Sequence, residues 1–251
     1  MALLSGYLPF ILFDILGGAV ADRVERKRMV VVVDLARAFV LALLVATIVT
    51  GTVSIAVVLI AHPPMRTLTL TILAFNVTYG AAWAVLVLYA GDRLDMDEVG
   101  FGLMTTAIAV CGIVGIAIYD RLERRFSFGN IMRVGLTIET CTHLVLAVTT
   151  SPAVALATLV VFGGHAFVWG TISTVIRQRA VPDELLGRVG GVYRVAIIGG
   201  LVIGAPIGGL LARGFGITAP FWFAFAGSAL LVVILWREFD HIAHAGDASR
   251  N

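Results

Sequence analysis

Charge is scarce in this sequence. Only 14% of its 251 residues are Asp, Glu, Lys or Arg, 59% are apolar, and the mean hydropathy is +0.99. An ordinary soluble domain carries roughly 25% charge and 45–50% apolar residues, so the shortage excludes water as the solvent for most of the surface. Cysteine is nearly absent. Cys111 and Cys141 both lie within apolar stretches, which excludes a disulfide framework and casts them as packed thiols. Also missing are a glycine-rich phosphate loop ending in Lys-Ser or Lys-Thr, a His-Glu-x-x-His pair and a clustered Cys or His ligand set. An ATP-driven pump is therefore disfavoured, and no cofactor or metal is called for. Scattered serines such as Ser5, Ser54 and Ser173 sit in no nucleophile frame, so the chain reads as a non-enzyme. A net charge of only +2 points to no nucleic-acid partner.

What the chain does have is long apolar runs. A hydrocarbon core of about 30 Å needs about 20 helical residues, each rising about 1.5 Å, with every backbone polar group paired internally. Eight segments qualify: Ala2–Val20, Met29–Thr50, Leu68–Ala90, Val99–Tyr119, Ile131–Thr149, Pro152–Ile176, Val189–Ala212 and Ile217–Trp236. The first has no basic region before it and a charged run, not a small-residue cleavage site, after it, so it reads as a retained helix. A ninth stretch, Thr52–Ala61, has half the required length and stops at His62-Pro63-Pro64. The turns on one side hold Arg23, Arg26, Lys27, Arg28, Arg66, Arg121, Arg124, Arg125, Arg177, Arg179 and Arg188, and those on the other side only Arg93 and Arg213. This bias puts the first set in the cytoplasm. It requires Thr52–Ala61 to cross despite its length, with Met1 outside or at the surface and Asn251 inside.

The charged run Asp22-Arg23-Val24-Glu25-Arg26-Lys27 recurs as Asp120-Arg121-Leu122-Glu123-Arg124-Arg125, each copy following a glycine-containing apolar helix. Parallel repeats are a known design of secondary transporters. Gly18-Ala19-Val20-Ala21-Asp22-Arg23-Val24-Glu25-Arg26-Lys27 resembles the motif between the second and third helices of major facilitator superfamily transporters, although that family often has glycine where Glu25 stands. Val181-Pro182-Asp183-Glu184-Leu185-Leu186-Gly187-Arg188-Val189 is similar to the loop between helices ten and eleven in the macrolide- and enterobactin-exporter branch.

The resemblance implies an all-α membrane bundle of about eight full helices plus one short segment. Residues 1–62 would be a remnant of the amino-terminal half, similar to helices two and three; residues 63–239 would be the six-helix carboxyl-terminal half, and 240–251 a cytoplasmic tail. It further implies gate residues at Gly18, Asp22, Arg23, Arg26 and Lys27, and again at Asp120, Arg121, Arg124, Pro182, Gly187 and Arg188. The expected function is export of a small, partly hydrophobic compound by proton antiport, from a multi-pass position in the cell membrane. The expected partners are lipid, substrate and protons. Because helices are missing from the pattern, the alternative is a truncated, inactive chain or a half-transporter completed by a second copy or a complementary half.

Polar residues within apolar segments are the candidates for the transport path, since a charge there costs roughly 2.5–3.5 kcal/mol on insertion scales. Asp14, Glu139, His143 and His165 are the ones that matter. Glu139 and His143, four apart, share a helix face and join a carboxylate to a group titrating near neutrality. Asp34 and Arg37 are spaced for a local ion pair, and Arg133 lies near enough to a helix start to snorkel. Gly200, Gly204, Pro206 and Gly208 fall at near-helical spacing, suited to close helix packing or a hinge. Cysteine-accessibility labelling at positions 26, 124 and 188 should report one shared, cytoplasmic side, and opposite sides for any two of them would overturn the topology.

Overall fold

The computed structural model describes residues 63–239. The segments Ala2–Val20, Met29–Thr50 and Thr52–Ala61, the first charged motif and the 240–251 tail lie outside the described residues. Within them the chain forms seven α-helices: α1 Pro63–Trp83, α2 Leu86–Asp92, α3 Glu98–Arg125, α4 Phe128–Val148, α5 Pro152–Ala180, α6 Asp183–Phe215 and α7 Ala219–Leu235. Met65–Asp92 acts as one span interrupted at Ala84-Val85. It and α3 to α6 are long and apolar enough to cross a membrane, while α7 is a shorter apolar helix of 17 residues. The eight full helices read from the sequence are thus not what the described residues display: five are long enough, one is shorter, and two expected segments lie outside.

Local chemistry explains the helix ends. Pro63 and Pro64 open α1, where their missing N–H groups have no helical partner to lose. Asp97 caps α3 by accepting from Gly100 N at 2.8 Å, and Ser127 caps α4 by accepting from Asn130 N. Arginines close two carboxyl ends. Arg93 donates to the carbonyls of Val148, the last residue of α4, and of Thr149 after it, and Arg133 donates twice to Trp236 O just beyond α7 while lying over its ring.

Two expected turns are helical instead. Asp120–Arg125 forms the last turns of α3, because Leu, Glu and Arg are good helix formers and nothing there breaks the hydrogen-bond ladder. The expected loop from Val181 to Val189 shrinks to Val181-Pro182. Pro182 is the residue before α6, so Gly187 and Arg188 lie inside that helix. Both helices continue past their apolar stretches, which is why hydropathy alone ended them early.

Two glycine seams set the packing. α1 lies mainly along α6, and α3 along α5. Gly200, Gly204 and Gly208, at four-residue intervals on α6, face the α1 backbone: a Cβ on Gly204 would strike Val77 O and one on Gly208 would strike Ala81 O. At the second seam a Cβ on Gly115 would meet Gly164 O, and one on Gly163 would meet Ile108 O. Small residues allow such approach, and it matters most in lipid, where no hydrophobic force drives helices together. α7 packs on α4 and α1, and an apolar core containing Leu86, Tyr89, Met104, Leu146, Leu159 and Phe221 fills one end of the bundle. The outer faces of α3, α6 and α7 carry exposed Val99, Ile113, Leu210 and Val233, the pattern of a surface solvated by lipid. Cys141 is also exposed and Cys111 partly so, which corrects their reading as packed thiols.

Adding a methyl tests the first seam. Gly204→Ala or Gly208→Ala should destabilise the detergent-solubilised protein by about 1–3 kcal/mol through overpacking. Gly209→Ala, with nothing within 4 Å of its added carbon, should be neutral or stabilising by up to about 1 kcal/mol. Thermal unfolding of the three variants is the measurement.

Candidate functional site

Hydrogen bonds inside a membrane average only about 0.6 kcal/mol, whereas inserting a charge costs roughly 2.5–3.5. Even a well-bonded intramembrane carboxylate is therefore a net expense, and Glu139 is such a residue. It lies in the middle of α4 with its side chain wholly buried. His143, one turn further along α4 and equally buried, places Nε2 2.9 Å from Glu139 Oε1. His165, reaching across from α5, places Nε2 3.0 Å from Glu139 Oε2. One carboxylate is thus held between two imidazoles from two helices.

The chemistry of this cluster follows from its donor inventory. An ionised carboxylate only accepts, so both imidazoles then donate through Nε2–H. The remaining ring nitrogens, His143 Nδ1 and His165 Nδ1, are buried with no hydrogen-bond partner. Each can take a proton, and the carboxylate can take another.

Around the cluster lies an aromatic wall between α1 and α5. Phe75, Tyr79 and Trp83, four residues apart on α1, stack in sequence, with ring centroids 5.9 and 4.5 Å apart. From α5, Phe162 packs on both Tyr79 and Trp83, and Trp169 stacks on Phe75 at 6.4 Å. Phe162 also meets His165 edge-on. An apolar groove of about 490 Å³ opens between α3, α4 and α5, lined by residues such as Ile118, Leu122, Val134, Ile138 and Val168, with His165 and Trp169 in its wall.

The sequence candidates are distributed unevenly in space. Glu139, His143 and His165 come together; Asp14, Gly18, Asp22, Arg23, Arg26 and Lys27 lie outside the described residues. Asp120, Arg121 and Arg124 are exposed at the end of α3. Glu123 between them bonds Arg179 of α5 at 2.7 Å, and that guanidinium also sits over the Phe128 ring. Pro182 and Gly187 are exposed near the start of α6, at the same end of the bundle. Pro206 lies within α6 between Gly204 and Gly208. Sequence reasoning missed the Glu123–Arg179 pair, whose partners are 56 residues apart, and the aromatic wall, although the four-residue spacing of Phe75, Tyr79 and Trp83 was there to be read.

Comparison with known proteins decides the family. The transmembrane secretion effector family, of the major facilitator type, matches residues 61–247. The chain belongs to this family. A curated human relative, solute carrier family 67 member A1, is 25% identical over 142 residues, a match covering 54% of this chain and 32% of the human protein. The chain thus spans about a third of the length of that relative. The effector-family match takes in all seven described helices, so the Glu139 cluster, both glycine seams and the Glu123–Arg179 pair stand on a transporter scaffold in a multi-pass membrane protein.

Substitution separates shape from charge at the cluster. Glu139→Gln keeps the side-chain volume and can still accept from one imidazole while donating to the other, so it should fold with nearly unchanged stability. Glu139→Leu leaves both imidazoles unpaired and should be less stable than Glu139→Gln by about 1–3 kcal/mol. Unfolding of the two variants in the same detergent makes the comparison.

Proposed function

We propose that this effector-family protein exports a small, partly hydrophobic compound in exchange for protons, with Glu139, His143 and His165 as the proton-exchanging group. The observation that carries the reading is the wholly buried Glu139 carboxylate bonded by imidazoles from both α4 and α5. Because the bonds join two helices, protonation alters an interhelical contact as well as a charge. A proton shifts a conformational equilibrium only through differing affinity for the two states, and a bond across helices supplies that difference. The apolar groove, within the roughly 300–1,000 Å³ of small-molecule sites, supports a lipophilic cargo. The family's own description as a secretion effector supports the outward direction. In this reading the arginine-rich end faces the cytoplasm of a cell-membrane protein, and the charged residues at the ends of α3, α5 and α6 act at the gate.

A second reading is a half-transporter, with residues 63–239 as the carboxyl-terminal half and 1–62 as a remnant of the other. One observation favours it: among the described residues the members of the proton-exchanging group all come from α4 and α5 of this half, so a second copy or a complementary half could close the path around it. Mass in detergent separates the two, a monomer supporting the first and a dimer or hetero-assembly the second.

Transport is tested in an efflux-deficient cell with an imposed proton gradient, where expression should lower accumulation of a lipophilic compound. With that compound as probe, substrate-induced proton release should be lost in Glu139→Gln. Equal release from wild type and variant would show that the cluster is structural only.

A further inference from the structure

His165, Trp169, Ser173 and Arg177 stand at four-residue intervals along α5. That spacing places all four on one face of the helix. Each has a polar atom that is buried and lacks a partner in hydrogen-bond geometry: His165 Nδ1, Trp169 Nε1, Ser173 Oγ and Arg177 Nη1. The last two lie beside the Tyr193 hydroxyl of α6 without meeting that geometry, and the Arg177 guanidinium sits 3.9 Å from the centre of the Tyr193 ring. The run begins at the Glu139 cluster and ends among the arginines. Its twelve residues rise about 18 Å, slightly more than half of a hydrocarbon core of about 30 Å.

A single unsatisfied atom would be a local defect. Four in register on one face, each costing about 1–3 kcal/mol if left unpaired, call for one common partner. Water has the right dimensions. Successive tips on this face are separated by a helical rise of about 6 Å, more than the roughly 4.7 Å that one water with its bent pair of bonds can bridge but within the reach of two waters bonded in series. The tips also alternate in kind: the indole N–H and the guanidinium only donate, the serine hydroxyl does both, and an Nε2-protonated imidazole accepts at Nδ1. A continuous file in which each water also bonds the next can therefore satisfy all four tips, with protons passing from water to water and the indole N–H only donating to the file.

We propose that a file of water molecules runs along this face of α5, from the arginine-rich end to the Glu139 cluster, and is the route by which protons reach that cluster. This rests on the reading that Glu139 exchanges protons. The titratable and charged groups around the route are Glu139 and His143 of α4, Tyr79 of α1, which is close enough to sense the Glu139 charge, and Tyr193 and Arg194 of α6. α3 contributes Cys111, Tyr119 and Glu123, the last already paired with Arg179, and α7 has no titratable side chain over Ala219–Leu235. Arg177 keeps its own protons. Its place is to anchor the first water at the entrance, with the relay beginning at Ser173.

Indole hydrogen exchange reads hydration at the centre of the file without reference to transport. In the full chain, labelled with ¹⁵N-tryptophan and placed in lipid nanodiscs, Trp169→Phe identifies the Trp169 indole signal. That N–H should exchange with deuterated water within minutes, and at least about tenfold more slowly in Ser173→Val, which removes the hydroxyl below it. Protection for hours in the unmodified chain, or equal rates in the two, would overturn the file. Fast exchange combined with unchanged proton release in Glu139→Gln would keep the file and reject the coupling. Slow exchange with proton release lost would reject the file and keep the coupling.

Discussion

In hydrocarbon a polar group has only the protein itself, or water the protein admits, to pair with. That constraint accounts for nearly every feature of the described bundle. The backbone satisfies it by being helical along the spans, apart from the turn at Ala84-Val85, where both N–H groups still find carbonyls of the preceding turn. At the helix ends, where carbonyls run out of partners, Arg93 and Arg133 reach across from neighbouring helices to supply them. Threonines and Asn76 bond the carbonyl three or four residues back instead of facing lipid unpaired. The glycine seams obey the same logic indirectly, since close backbone approach replaces the hydrophobic force that lipid does not provide.

Against that background the Glu139 cluster stands out as the place where the constraint is met at a loss. Apolar side chains at positions 139, 143 and 165 together would fill the space between α4 and α5 more cheaply. The two imidazoles soften the penalty of the carboxylate without removing it, and both leave a nitrogen unpaired. Polar groups kept at such cost inside a membrane are candidates for function, and that cost is the ground on which we propose this cluster as the proton-exchanging group.

How much of this was legible in the sequence depended on distance along the chain. The six segments from Leu68 to Trp236 were readable because twenty apolar residues have few other uses, and their order survives in the structure. Their ends were not, since Asp120–Arg125 and Asp183–Val189 continue helices beyond the apolar stretch with residues that favour helix anyway. Glu139 and His143 could be paired from spacing alone. His165, 26 residues away on another helix, could be named as a buried polar residue but not joined to them. Gly200, Gly204 and Gly208 announced a seam without revealing its other side, because α1 presents backbone there and no side-chain pattern encodes that. The break at Ala84-Val85 has no sequence signal that we can identify, as neither proline nor glycine marks it.

The aromatic wall between α1 and α5 differs in kind from the glycine seams. The seams bring backbone against backbone with no side chain between, whereas at the wall flat rings such as Phe75 and Trp169, nearly parallel at 10°, meet across the gap between two helices. Two of the chain's four tryptophans, Trp83 and Trp169, are set in that layer, each against another ring. The protein accordingly carries its own optical gauge. Any relative movement of α1 and α5 changes the stacking of an indole, and with it the colour and intensity of the protein's native ultraviolet emission, with no label attached.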